Sequence, residues 1–150
     1  MSDPIADPWR LSRFVEAQAE TYERALAELR DGCKRSHWMW FVLPQIAGLG
    51  FSSMSARYAI SGRAEARAYL AHPVLGPRLR ECADALLALD DGRSATRILG
   101  HPDDLKLQSS ATLFAQVSPR GSVFHRLLDR YFGGRADDAT LTLLQNDDAA

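Results

Sequence analysis

The first candidate site in the sequence is the segment that contains Lys34, Ser36 and His37, where an ammonium, a hydroxyl and an imidazole could bind an anion or accept a proton. With Arg35 they place two cations and a capping hydroxyl directly before a predicted short helix. The first N–H groups of a helix are unpaired and its dipole is positive there, so an anion is favoured. The same positive end penalises a protonated imidazole, so His37 is expected to be neutral and is a candidate catalytic base. Alternatively, a backbone carbonyl satisfies His37 and the cations are solvated.

Aromatic and glycine residues follow this segment and could complete a ligand site. Trp38 or Trp40 could stack on a planar group, or both could be core residues. The loop at Gly48 and Gly50 leads to Ser52, which is predicted to begin a helix, and could bring backbone amides close to a phosphate or carboxylate. It lacks the preceding strand and the full spacing of a dinucleotide-binding fingerprint, so positive φ angles would also explain the glycines.

A second polar segment lies on a helix predicted to begin at Pro102. Lys106, Ser109 and Ser110 share one face at spacings of three and four, where a lysine and two hydroxyls could hold an oxyanion. Asp104 or the two serines could orient His37, and Asp104 is the second candidate catalytic residue. Close helix packing explains the serines equally well. The full set of candidate ligand-binding residues is Lys34, Ser36, Trp38, Trp40, Gln45, Gly48, Gly50, Ser52, Lys106, Ser109 and Ser110.

Familiar metal and nucleophile patterns are absent from the sequence. Cys33 and His37 are four residues apart, but Gly32 and Ser36 read as a helix end and a cap, and no further ligand lies near. Neither an HExxH nor a GxSxG pattern occurs, although a serine triad needs no fixed spacing. We therefore predict no metal site and no cofactor, and whether the protein is an enzyme stays open.

Length and charge describe one ordinary domain. The chain has 150 residues, of which 46% are hydrophobic and 25% charged, with a net charge of −1. We expect a single domain, ordered over about residues 10–145 with frayed ends, and two reduced, packed cysteines. No leader or long apolar run is visible, so a cytoplasmic protein without a membrane partner is expected, and the balanced charge makes nucleic acid an improbable partner. Of the 18 basic residues only Lys34 and Lys106 are lysine.

Hydrophobic periodicity and helix-capping residues predict an all-α fold, a single multihelical domain of about eight helices. The apolar run at 37–43 is too short for its period to decide, but Ser36 before it and Pro44 after it favour a short helix. No internal repeat is present. The predicted helices cover residues 13–31, 37–43, 52–60, 64–70, 77–89, 95–99, 102–117, 123–132 and 138–144.

Several strings in the chain resemble the bacterial domain-of-unknown-function family numbered 1810. They are Lys34, Ser36-His37-Trp38-Met39-Trp40-Phe41, Pro44-Gln45-Ile46, Gly48-Leu49-Gly50, His72-Pro73-Val74-Leu75-Gly76, Pro102-Asp103-Asp104-Leu105-Lys106 and Ser109-Ser110. The resemblance covers residues 10–145 and implies a multihelical cytoplasmic domain of unassigned activity without established catalytic residues. Some members carry the label calpastatin. Calpain inhibitors are long, disordered and repetitive, which this chain is not.

Two functions remain open from the sequence. The first is a binding or enzymatic domain for a small anionic or nucleotide-like ligand, with a pocket formed by residues 34–45, 48–55 and 106–112. The second is a protein-interaction or assembly module that exposes the Trp/Met/Phe cluster at 38–41 to an unknown partner. Burial discriminates between them, because an interaction face needs an exposed apolar patch and a pocket keeps these aromatic residues around a polar cleft.

Overall fold

The computed structural model describes residues 7–50 and 52–149, which form ten α-helices and no β-strand. The all-α prediction is confirmed, with ten helices where about eight were expected. The predicted fraying of residues 1–6 and Ala150, and the loop position of Phe51, lie outside the described residues. The helices are α1 (Ser12–Gln18), α2 (Tyr22–Asp31), α3 (Met39–Val42), α4 (Ser53–Arg57), α5 (Arg63–Ala71), α6 (Leu75–Leu87), α7 (Ala95–Leu99), α8 (Asp103–Ala115), α9 (Val123–Phe132) and α10 (Asp138–Ala149).

Serine hydroxyls begin three of the helices. Ser52, Ser94 and Ser122 each accept a hydrogen bond from the backbone N–H three residues further on, at the starts of α4, α7 and α9. Each bond satisfies an N–H group that has no partner within the helix. At the other ends, Gly32 and Gly133 follow α2 and α9 in the left-handed conformation. These starts and ends agree with the predicted ones.

The predicted helix over 13–31 is two helices, α1 and α2, separated by a turn at residues 19–21. Phe14, Gln18 and Tyr22 are buried on both sides of the turn. Their spacing of four continues across the break, so periodicity does not reveal it. Gln18 is 1% exposed, and its amide donates hydrogen bonds to the Phe41 carbonyl at 2.7 Å and the Tyr69 hydroxyl at 3.2 Å. These bonds tie the end of α1 to α3 and α5.

Further helix boundaries differ from the predictions, as α4 ends at Arg57 where residue 60 was predicted, and α6 begins at Leu75 where residue 77 was predicted. α3 begins at Met39 with Trp38 as its N-cap, because the Ser36 hydroxyl donates to Glu28 instead of accepting from the helix. His37 therefore lies outside α3. α10 continues to Ala149, past the predicted end at residue 144.

The core is built around α8, which packs against α5, α7, α9 and α10. Four buried rings join α1, α5, α8 and α9: Phe14 lies 5.1 Å from Tyr69, Tyr69 5.3 Å from Phe114, and Phe114 5.6 Å from Phe124. None of the described helices is both long and apolar enough to cross a membrane. This packing fixes the start of α8, where the second polar segment lies.

Candidate functional site

The Glu28 carboxylate organises the chain between α2 and α3. Its oxygens accept four hydrogen bonds, from the N–H groups of Arg35 and Ser36, the Ser36 hydroxyl and the Trp38 indole. Burial acts to raise the pKa of Glu28, but these hydrogen bonds outweigh it and lower the pKa to about 2. The Lys34 N–H also donates to the Ile98 carbonyl at 2.8 Å, which holds this segment beside α7.

Lys34 and Lys106, hereafter the lysine pair, meet at one carboxylate. Lys34 Nζ lies 3.0 Å from Asp103 Oδ2, and Lys106 Nζ lies 3.2 Å from Asp103 Oδ1. Each ammonium also lies over an indole: Lys34 Nζ is 5.2 Å from the Trp38 ring centre and Lys106 Nζ is 4.7 Å from that of Trp40. The two polar segments of the sequence are thus adjacent in space.

The lysine pair retains positive charge and donors after these contacts. Two ammonium groups face one Asp103 carboxylate, and the side chains of Lys34 and Lys106 are 9% and 23% exposed. An ammonium has three N–H donors, of which Asp103 takes one from each lysine. Lys106, the more exposed of the two, can donate to an anion from the adjoining solvent.

Two clefts adjoin at the loop between α3 and α4. The first, about 250 Å³, is lined by Trp40, Tyr58 and the chain around Gly48. The second, about 300 Å³, lies between that loop, the start of α8 and the start of α10, and Lys106 lines it. The residues that line both clefts are Gln45, Gly50 and Ser55. Lys106 Nζ, in the second cleft, lies 4.7 Å from the ring centre of Trp40, in the first, so the two clefts lie side by side.

The glycine loop supplies further donors to these clefts. The N–H groups of Gly48, Leu49 and Gly50 make no hydrogen bond to any described residue, and neither does the Gln45 side-chain amide. Gly48 has a φ of +101°, a conformation that other residues rarely adopt. A Cβ at Gly50 would lie 2.3 Å from Ser55 Oγ, so only glycine allows this close approach. The loop therefore offers free polar groups on a defined backbone.

Five predicted site residues are placed elsewhere or are occupied. His37 is exposed and has no hydrogen-bond partner among the described residues. Ser36 is bonded to Glu28, and Ser52 caps α4 while its neighbour Ser55 lines the clefts. Ser110 is 1% exposed within the core. Asp104 is the fifth of these residues. The remaining predicted residues lie near one another: Lys34, Trp38, Trp40, Gln45, Gly48, Gly50, Lys106 and Ser109.

Asp104, predicted to orient His37, instead pairs with His101. Its Oδ1 lies 3.0 Å from His101 Nδ1, and Thr96 donates a hydrogen bond of 2.7 Å to its Oδ2. Burial acts to raise the pKa of Asp104, but the bonds from Thr96, the Leu105 N–H and His101 hold it below the usual range. Asp104 joins α7 to the start of α8, because Thr96 belongs to α7.

Sequence reasoning missed Asp103 and Asp137, and it included Ser55 only as part of the predicted pocket segment 48–55. Asp103 sits in the first turn of α8, where complementing the helix dipole is reason enough for a carboxylate. Asp137 immediately precedes a predicted helix, a signal that indicates a cap and not a cleft residue. No group of three histidine, cysteine or acidic residues in the described ranges could hold a metal ion.

Fold and site together define an all-helical domain with a paired-lysine cleft. The chain belongs to the family of proteins of unknown function DUF1810, which it matches over residues 8–144. It is similar to the crystal structure of the conserved hypothetical protein Rv1873 from Mycobacterium tuberculosis, with 52% sequence identity and a TM-score of 0.90. That similarity covers 93% of this chain and 99% of the other. No curated protein matches the chain.

Proposed function

We propose that this protein binds a small ligand with a planar group and an anionic group, such as a nucleotide, in the adjoining clefts, and that it does so in the cytoplasm. The observation that carries the proposal is the position of the lysine pair. The chain has only two lysines, they are remote in sequence, and they meet beside an open cleft with an indole under each ammonium.

The first cleft suits the planar group of the ligand. Trp40 and Tyr58 supply aromatic surface there, and the unpaired Gln45 amide can both donate to and accept from the edge of a heterocycle. The volume of about 250 Å³ is close to the lower end of small-molecule sites, and the second cleft adds about 300 Å³.

The second cleft suits the anionic group. Lys106 can donate to it, and the same cleft is lined by Leu49 and Gly50, whose N–H groups make no hydrogen bond to a described residue. Lys34 does not line this cleft but raises the local positive potential through its contact with Asp103. Charge-assisted hydrogen bonds to phosphate are about twice as strong as neutral ones, so Lys106 should dominate the affinity.

The alternative function, a protein-interaction module, needs an exposed apolar patch, and the aromatic cluster at 38–41 offers little exposed apolar surface. Trp38, Met39 and Phe41 are buried, at 0%, 1% and 8% exposure, and Trp40 is half-buried at the first cleft. The large apolar side chains that are exposed in the described ranges, Trp9 and Leu105, lie outside this cluster.

Two lysines allow a direct binding test by NMR. Protein labelled with 15N at lysine gives two side-chain signals, and adenosine 5′-monophosphate should shift that of Lys106 more than adenosine does. Lys106→Met should weaken binding of the monophosphate by about tenfold or more, the value of a hydrogen bond to a charged group. Arg67→Met, which removes an exposed cation on α5, should leave the affinity unchanged. Equal affinity in both variants, or no binding at millimolar concentration, would refute the proposal.

A further inference from the structure

Asp137 combines a structural role with an unused acceptor. It caps α10, where the N–H and hydroxyl of Thr140 donate to its Oδ2 at 3.0 and 2.5 Å, and the Ser109 hydroxyl lies 3.3 Å from the same oxygen. Its Oδ1 has no hydrogen-bond partner among the described residues. Capping of α10 therefore uses Oδ2, and Oδ1 is left without a structural role among the described residues.

The free oxygen belongs to a residue that lines the second cleft. Asp137 and Lys106 both line this cleft and form no ion pair with each other, whereas Lys106 pairs with Asp103. The cleft therefore presents a cation and an unpaired acceptor on different walls. A carboxylate repels phosphate oxygens and accepts hydrogen bonds from hydroxyl groups. A ligand that carries only negative charge does not complement this cleft.

A ribonucleotide has the required order of groups. Its base, sugar and phosphate are joined in that order, so a base beside Trp40 in the first cleft leaves both the sugar and the phosphate for the second cleft, which Asp137 and Lys106 line. We propose that Asp137 Oδ1 accepts hydrogen bonds from the 2′- and 3′-hydroxyl groups of a bound ribonucleotide and so selects it over forms that lack them. This inference rests on the proposed nucleotide-binding function and names its sugar specificity.

The test compares adenosine 5′-monophosphate with its 2′,3′-dideoxy counterpart by isothermal titration calorimetry. Wild-type protein should bind the ribonucleotide about tenfold or more tightly than the dideoxynucleotide, since a hydrogen bond to a charged acceptor has this value. Asp137→Asn should reduce the preference to less than about threefold, because a neutral N–H2 group, which can only donate to the hydroxyl oxygens, replaces the charged acceptor. Asparagine caps helices about as well as aspartate, so the fold should be retained.

Asp138→Asn is the matched control, because Asp138 is exposed at the start of α10 and makes no contact with the cleft. It should keep the wild-type preference. Equal wild-type affinity for the two nucleotides, with binding still dependent on Lys106, overturns this inference alone. A preference that persists in Asp137→Asn, or that is lost in Asp138→Asn too, also overturns it. Failure of both nucleotides to bind overturns this inference together with the proposed function.

Discussion

The Glu28→Gln variant tests how strongly the Glu28 carboxylate stabilises the segment that contains Lys34. Glu28 Oε1 accepts from the N–H groups of Arg35 and Ser36 and from the Trp38 indole, and Oε2 accepts from the Ser36 hydroxyl. An amide oxygen can accept the same three bonds, and its N–H2 can donate to the Ser36 hydroxyl. Glu28→Gln therefore removes the charge and retains the shape.

The pKa of Glu28 sets the size and the pH range of the effect. Although burial opposes ionisation, the four hydrogen bonds lower the pKa from 4.5 to about 2. That difference corresponds to about 3 kcal/mol of folding free energy. Because the pKa is lower in the folded state, this stabilisation is present above about pH 4.5 and is lost as the pH falls toward 2. The stability difference between wild type and Glu28→Gln should fall from about 3 kcal/mol at pH 6 to about 1 kcal/mol at pH 3.

Urea unfolding followed by tryptophan fluorescence at pH 3, 4, 5 and 6 measures this difference. Glu23→Gln is the control, since Glu23 is exposed on the same helix and makes no hydrogen bond to a described residue. It changes the net charge equally and should follow wild type at every pH. Parallel stability curves for wild type and Glu28→Gln would refute the reasoning, because they would show that the buried carboxylate contributes no pH-dependent stability.

Two shorter predictions concern other parts of the fold. Thr96→Val removes one hydrogen bond to Asp104, so the pKa of Asp104 should rise, as measured by carboxyl NMR. Stability at pH 7 should fall by about 1 kcal/mol in urea unfolding. An unchanged pKa of Asp104 would contradict the assignment of this hydrogen bond. Cys33 is exposed, against the expectation that both thiols pack, and should react promptly with a thiol reagent at pH 8. Cys82 is 0% exposed with its pKa raised by burial to about 12, so it should react only after denaturation, and two rapid equivalents in native protein would be the contrary result.

Local signals predicted most of the helices because their capping is local. Ser94 and Ser122 each act within one helical turn, and their helices begin where the sequence placed them. Ser36 has the same residue type, but Glu28, eight residues earlier, takes its hydroxyl. The break between α1 and α2 is also invisible in the sequence, because Gln18 keeps the buried spacing and its partners, Phe41 and Tyr69, are distant in the chain.

The candidate site was predictable as a set of segments but not as a set of contacts. Lys34 and Lys106 stand out by composition, yet the carboxylate between them is one of two adjacent aspartates that both suit a helix start. Only the packing of α7 on α8 decides that Asp104 faces Thr96 and Asp103 faces the lysines. The assignment of roles within the segments therefore depends on tertiary structure.

The contacts of Asp103 give a physical reason for lysine at two positions of a chain whose other basic residues are all arginine. One oxygen of Asp103 contacts Lys34 and the other contacts Lys106. A guanidinium tends to take both oxygens of a carboxylate through two parallel N–H bonds, which would leave none for the second cation. An ammonium needs one oxygen and keeps two donors. Lysine at both positions lets a single carboxylate hold two cations side by side while Lys106 retains donors toward the second cleft, where an anionic ligand would meet them.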